Sequence, residues 1–139
     1  MKNINPLVSV IIPSYNGLPF LKDAIKSVLE QSYKNFELII VDDSSEDNTY
    51  GYILSLIRKD KRIKYFKTPK NTGTTAAARN FGVKRSKGKF LSFLDADDLW
   101  HKNKLEKQIN SLKKNTVISC TAANYKKENT TTKASFLIT

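Results

Sequence analysis

The sequence predicts an α/β fold built on a mainly parallel sheet, and three observations predict it. Short β-branched runs alternate with stretches of helical periodicity. The first two of these runs stop at Pro or Asp, as buried strands do where they open into loops. The chain has 139 residues with 40% apolar content, enough for one domain to bury a core without disulfide or metal staples.

Residues 8–13, Val-Ser-Val-Ile-Ile-Pro, and 36–41, Phe-Glu-Leu-Ile-Ile-Val, read as buried strands. Between them Leu21, Ala24 or Ile25, Val28 and Leu29 recur at helical spacing. Pro19 falls in the first turn, where its missing N–H costs nothing. Ile53, Leu56 and Ile57 mark a second helix, 63–66 a short strand, and 74–84 a helix opened by the Asn71-Thr72-Gly73 turn. Residues 89–94 predict another strand. A fourth helix begins near His101 and carries Leu105, Ile109 and Leu112 on one face, and 117–125 predicts a strand. The Ser/Thr/Asn/Lys-rich stretch 124–133 is expected to be a loop or hairpin turn leading into 134–138.

Composition narrows the functional classes. Cys120 and His101 are each the sole residue of their kind, which excludes an internal disulfide and a Cys/His zinc site and fits a reducing compartment. No apolar run approaches the ~20 residues that span a bilayer, and the start of the chain has no apolar signal core. A soluble, cytoplasmic protein is expected. Charge is uneven: residues 1–57 carry four Lys and seven acids, whereas 58–139 carry 20 basic and six acidic residues, giving +11 overall. Such a surplus is either a solvated surface or an attractor of phosphate, anionic lipid or nucleic acid.

In an open α/β sheet, ligands bind beyond the carboxyl ends of the strands. Three strands end in polar clusters there: Pro13-Ser14-Tyr15-Asn16, Asp42-Asp43-Ser44-Ser45 and Asp95-Ala96-Asp97-Asp98. Ser44, Ser45 and Asp47 also suit helix caps. Three carboxylates within four residues repel one another unless a cation offsets them, and hard oxygen donors suit Mg²⁺ or Mn²⁺. The alternative for this trio is a helix N-cap with surface ion pairs.

Val-Ser-Val-Ile-Ile-Pro-Ser-Tyr-Asn, Val-Asp-Asp-Ser-Ser-Glu-Asp-Asn-Thr, Asn-Thr-Gly-Thr-Thr-Ala-Ala-Ala-Arg-Asn-Phe-Gly and Phe-Leu-Asp-Ala-Asp-Asp, in this order and spacing, resemble the N-terminal half of family 2 glycosyltransferases with the GT-A fold. The resemblance covers about residues 7–112 and leaves 113–139 as the start of an acceptor region, within one donor-binding domain of 1–139. It implies a Rossmann-like GT-A sheet flanked by helices, truncated relative to the family. It also implies a nucleotide-sugar donor, UDP-sugar favoured, a divalent metal (Mn²⁺ or Mg²⁺), and inversion at the anomeric carbon. The acceptor it implies is a glycan or lipid-linked sugar in bacterial surface polysaccharide synthesis.

Carried onto this chain, the resemblance places Pro13, Ser14, Tyr15, Asn16, Asp42, Asp43, Gly73, Arg79, Asn80, Asp95 and Ala96 around the donor nucleotide. Tyr15 lies against the base, and Asp43 accepts from base or ribose; Asp42 is the alternative holder of the loop. An aromatic ring offers a stacking face and a carboxylate offers acceptors. Asp95 and Asp97 match the family's Asp-x-Asp, with Asp97 the expected metal ligand and Asp98 a second candidate. Gly73 opens a helix whose positive end favours phosphate. Arg79 is either a further charge partner for the donor or half of a structural ion pair, and Asn80 either meets donor or bonds nearby backbone. Ala76, Ala77 and Ala78 suit close helix packing, and Trp100 suits either the sugar or the core rim.

Inverting members run to roughly twice a single-domain length, and their general base comes from the second half. No catalytic residue is identifiable here, the base being expected beyond residue 139. The chain is therefore expected to hold the donor half of a site and to be incompetent alone, whether as a fragment, a shortened gene product or a protein completed by a partner. Exposed edges of a half sheet favour a homodimer, and the Lys surplus suits peripheral contact with the inner face of an anionic membrane. Alternatives are a non-catalytic nucleotide-sugar binder and a basic nucleic-acid module. The latter lacks any recognition motif, so no nucleic-acid partner is expected. A nucleotidyltransferase is disfavoured because no Gly-rich loop follows the first strand.

Overall fold

A computed structural model describes residues 5–112, 123–127 and 130–134. The chain alternates β1 (Val8–Ser14), α1 (Leu18–Leu29), β2 (Phe36–Asp42), α2 (Thr49–Ile57), β3 (Ile63–Lys67), α3 (Thr75–Val83), β4 (Phe90–Phe93) and α4 (Lys104–Ser111). The four strands form one sheet in the order β3-β2-β1-β4, every pair parallel. Val10 stands opposite Leu38, Ile12 opposite Ile40, and Ile11 opposite both Ile39 and Phe93.

β1 and β2 are central and covered on both faces, which is why apolar residues dominate both and all their residues are buried, with Ser9, Ser14, Glu37 and Asp42 the polar exceptions. On one face Val8, Val10, Ile12, Leu38 and Ile40 meet Leu21, Ile25 and Val28 of α1, Ile53 of α2, and Leu105 and Ile109 of α4. On the other, Ile11, Ile39 and Val41 pack against Ala78 of α3, with Phe66, Phe81 and Val83 around them. α3 lies close to the sheet because Gly82 has no side chain. A Cβ there would sit 2.7 Å from Ile11 Cγ2 and 3.0 Å from Val41 Cγ2.

The edge strands are less covered. Leu91 and Phe93 of β4 are each 43% exposed, on the strand whose outer edge has no partner among the described residues. At the amino ends of the strands, buried Glu37 accepts from Ser9 Oγ at 2.5 Å and Lys87 N–H at 2.6 Å and is ion-paired with Lys64. These bonds tie the α3–β4 loop beneath the sheet.

The fourth helix starts at Lys104, three residues after the expected point, because 95–103 is a series of turns with Asp98 N–H on Asp95 O and Lys104 N–H on His101 O. The stretch expected as a loop or hairpin turn, 124–133, falls mostly within an antiparallel pair, β5 (Ala123–Lys127) and β6 (Thr130–Ala134), with Tyr125 opposite Thr132, so the hairpin alternative matches while strand takes residues expected to be irregular. Thr is β-branched and favours strands, and its polarity masked that preference. Residues 117–122 and 135–138, expected to be extended, lie outside the described residues.

Candidate donor site

From β1 the chain turns through α1 to β2 on one side, while β4, reached through α3, lies on the other. The loops after β1 and β4 therefore diverge, and the crevice between them is the switch point where parallel sheets bind ligands. Beside it, at the carboxyl ends of β1, β2 and β3, a cleft of about 380 Å³ opens, lined by Pro13, Ser14, Tyr15, Asp43, Asn71, Gly73, Thr74, Thr75 and Ala78. The volume lies within the usual range for small-molecule sites. Pro13, Ser14, Tyr15, Asp43 and Gly73 come together as the sequence predicts. Asn71, Thr74 and Thr75 join them unforeseen, and Ala78 both lines the cleft and packs on the sheet.

Tyr15 is 52% exposed, a ring held at the mouth with a free face. Ser14 is almost wholly buried, and its Oγ has no hydrogen-bond partner. Asp43 is buried too, its carboxylate accepting from Thr68 Oγ1 at 2.9 Å, from Thr72 Oγ1 at 2.8 Å and from the Thr72 backbone N–H. Beyond it the chain turns into α3. Asn71 Oδ1 accepts from Gly73 N–H at 2.7 Å, Gly73 takes φ +73°, and Thr74 caps the helix by accepting from Ala77 N–H. The first turn of α3 thus points its amide groups toward the cleft wall.

Two residues assigned to the donor lie outside the lining of this cleft and bond the loops. Asp42 takes Ser45 N–H on Oδ1 and the Tyr65 hydroxyl on Oδ2. Burial first, and then this bond, raise the Tyr65 pKa. Asn16, at φ 48°, donates its N–H to Ser45 Oγ and accepts Glu46 N–H on Oδ1, joining the loops after β1 and β2. Asp47 caps two helices at once, taking Leu18 N–H on one oxygen and the N–H and hydroxyl of Thr49 on the other. Burial pushes its pKa up, but these bonds hold it lower on balance. The capping reading thus matches Asp47, whereas Ser45 Oγ takes the loop amide of Asn16 and Ser44 Oγ donates to Thr68 O, so neither serine bonds a helix amide among the described residues.

The acidic loop lies past β4. Asp95 forms an ion pair with Arg79 of α3, whose Nε is buried without a partner. Asp97 and Asp98 are exposed and make no side-chain hydrogen bond or ion pair among the described residues. Partial burial, and then the charges of Asp97 and Asp95, raise the Asp98 pKa. This loop carries more negative charge than its surroundings balance. Among the described residues no three His, Cys, Asp or Glu side chains are arranged to hold a metal ion. Asn80 is exposed outside the cleft, and Ala96 packs on the main core.

Trp100 also packs on that core, with Lys104 Nζ 3.9 Å from its ring and its backbone N–H on Ser27 Oγ. Gln31 went unnoticed in the sequence. It is wholly buried, donates to Ser27 O and His101 O, and accepts Leu105 N–H on Oε1. One amide therefore fastens the acidic loop and the start of α4 to the end of α1. A Gln directly after a helix carries no sequence signal for such a task.

A parallel sheet with a cleft at the carboxyl ends of β1, β2 and β3, walled by an aromatic ring, a held carboxylate and a helix amino end, defines an α/β domain of the kind that gathers a ligand at that end of its sheet. The model of glycosyl transferase family 2 matches residues 9–137, and the chain belongs to that family. An uncharacterized glycosyltransferase of Haemophilus influenzae is 47% identical over 120 residues, 86% of this chain and 47% of that protein. The Escherichia coli UDP-Glc:alpha-D-GlcNAc-diphosphoundecaprenol beta-1,3-glucosyltransferase WfgD is 45% identical over 80% of this chain and 43% of its own length. Among solved structures, the mannosyltransferase PcManGT of Pyrobaculum calidifontis, in complex with GDP-Man and Mn²⁺, superposes with TM-score 0.75 and 26% identity over 83% of this chain and 34% of that one. The fold is GT-A. The chain spans less than half the length of these relatives, and no described helix is long and apolar enough to cross a membrane.

Proposed function

We propose that this chain supplies the donor-binding half of an inverting, metal-dependent glycosyltransferase that uses a UDP-sugar in bacterial surface polysaccharide synthesis. The observation that carries the reading is the cleft itself, where the open face of Tyr15 and the carboxylate of Asp43 share one cavity with the amino end of α3. The base stacks on Tyr15 and gives an N–H to Asp43. The diphosphate lies toward Gly73 and Thr74, where helix amides favour anions. Ser14 Oγ and Arg79 Nε, buried and unpaired, are polar atoms that a donor would satisfy.

The donor set suits a divalent cation: Asp97 and Asp98 are hard oxygen ligands without side-chain partners among the described residues, and burial and the neighbouring Asp97 and Asp95 charges raise the Asp98 pKa. These two would hold it, while Arg79 keeps Asp95 in place. When bound, Mn²⁺ or Mg²⁺ would offset the charge that develops on the departing nucleoside diphosphate. The protein's own part is to orient the donor: Tyr15 and Asp43 fix the nucleoside, and α3 fixes the phosphates. The relative WfgD, named for a UDP-Glc donor and a lipid-diphosphate acceptor, supports both the uridine donor and a lipid-linked acceptor. PcManGT, solved with Mn²⁺, supports the metal.

Calorimetric titration of UDP, GDP and dTDP, with and without Mn²⁺, tests this reading. Saturable UDP binding that requires the metal and is lost in Asp97→Ala is expected. Failure of all three to bind at millimolar concentration refutes it. Release of free sugar from UDP-sugar then separates catalysis from binding alone.

A further inference from the structure

Asp43 is held more tightly than a ligand-binding carboxylate needs to be for stability alone. Two neutral threonines, far apart from it in sequence, close on its two oxygens. Thr68 Oγ1 donates to Oδ1 at 2.9 Å, the Thr72 backbone N–H is shared between Oδ1 and Oδ2 at 3.0 and 3.1 Å, and Thr72 Oγ1 donates to Oδ2 at 2.8 Å. A hydroxyl has one proton. Thr72 Oγ1 also lies 3.1 Å from Thr74 O, but the shorter contact to a charged acceptor is the stronger one. The carboxylate offers about four acceptor positions, so about one is left for a ligand.

Both threonines are themselves fixed. Thr68 is buried at the end of β3, with its N–H on Asp42 O and its carbonyl accepting from Ser44 Oγ. Thr72 sits between Asn71 and Gly73 in the turn that starts α3. The plane of the Asp43 carboxylate is thereby locked to the helix end that faces the same cleft. On the reading of this cleft as a nucleotide site, on which the following rests, a nucleoside diphosphate has a limited span between base and phosphates. Its base edge and its phosphates must meet Asp43 and α3 at once.

The geometry points to Thr72 as a positioning residue, acting through Asp43, that sets which base the cleft accepts. A carboxylate locked with one acceptor position open selects a base that presents a ring N–H, as uracil does, and rejects cytosine, whose ring nitrogen at that position is itself an acceptor. Without the Thr72 hydroxyl, Oδ2 keeps only its share of the Thr72 backbone N–H, so the carboxylate is held less firmly and takes water at a second acceptor position. It then loses discrimination more than it loses affinity for nucleotides in general.

UDP and CDP differ only at this edge, so their affinities for the 139-residue chain, read by calorimetry with Mg²⁺ present, form the test. Wild type is expected to prefer UDP by about tenfold or more, the scale of one well-made polar contact. Thr72→Val should cut that preference about fivefold or more while CDP affinity stays within about twofold, and Thr72→Ser should restore it. Thr72→Ala repeats the test if the valine variant melts early, and melting curves accompany every variant. A preference unchanged in Thr72→Val and Thr72→Ala, or an equal loss of UDP and CDP, overturns the inference while Asp43→Asn still abolishes the preference. If Asp43→Asn also leaves the preference untouched, or if wild type binds neither nucleotide, the nucleotide reading falls and the inference falls with it.

Discussion

Replacing Gln31 by methionine should destabilise the chain by about 3 kcal/mol, counting about 1 kcal/mol for each of the three hydrogen bonds lost. Methionine approximates the volume of glutamine, so packing changes little. Leu105 N–H, at the buried start of α4, loses its acceptor, and the carbonyls of Ser27 and His101 lose their donor. A domain of this size is stable by about 5–15 kcal/mol, so the loss is a large share. With a urea slope of about 2 kcal/mol/M, the unfolding midpoint falls by about 1.5 M. Gln31→Ala should cost more, since it adds a cavity. Urea titration followed by Trp100 fluorescence reads the effect where the amide acts, because Trp100 also bonds Ser27. A midpoint within about 0.3 M of wild type would show that water replaces all three bonds and that Gln31 does not fasten the acidic loop.

Three further outcomes are expected. Burial raises the Glu37 pKa, but Lys64, Ser9 and the Lys87 N–H outweigh it, so the folded value lies below the unfolded one. Its contribution to stability is then complete above the unfolded value of about 4.3 and is lost as pH falls through the folded value. Wild type should lose stability in that window and Glu37→Gln should lose less of it, as followed by thermal melts across pH 2–6. Gly82→Ala forces a Cβ against Ile11 and Val41 and should cost about 1–3 kcal/mol by overpacking, measured in urea. Tyr15→Ala removes the exposed ring without touching the core and should weaken UDP about five- to 50-fold, the scale of one base–aromatic stack, with an unchanged melting temperature.

How far the sequence could be read depends on the range of the interactions involved. β1 and β2 are plain because strands covered on both faces carry consecutive apolar residues, Val10-Ile11-Ile12 and Leu38-Ile39-Ile40-Val41, and the Gly73 turn is plain because a positive φ calls for glycine. Tyr15 and Asp43 fall in one cleft, as expected of a parallel sheet that gathers its loops at one end. Thr68, Thr72 and Gln31 were missed because their partners are 25, 29 and up to 74 residues away, and a single Thr or Gln gives no sign of such a bond. The open choice at Arg79 turned on helix phase, and the structure places it on Asp95. At Asp42 the loop-holding alternative matches its bonds to Ser45 and Tyr65. Around the β5–β6 pair most residues are Asn, Lys or Thr, so no sustained apolar alternation marks where the strands of the expected hairpin run.

The most direct measurement of the central claim is a ¹⁵N–¹H correlation spectrum of the chain titrated with UDP and Mg²⁺. Binding at the switch point predicts saturable shifts in the amides of 14–16, 43, 72–78 and 95–98. Shifts confined to the basic loops 58–62 and 84–89, at the opposite end of the strands, would contradict it and mark the nucleotide as a diffuse anion on a positive surface.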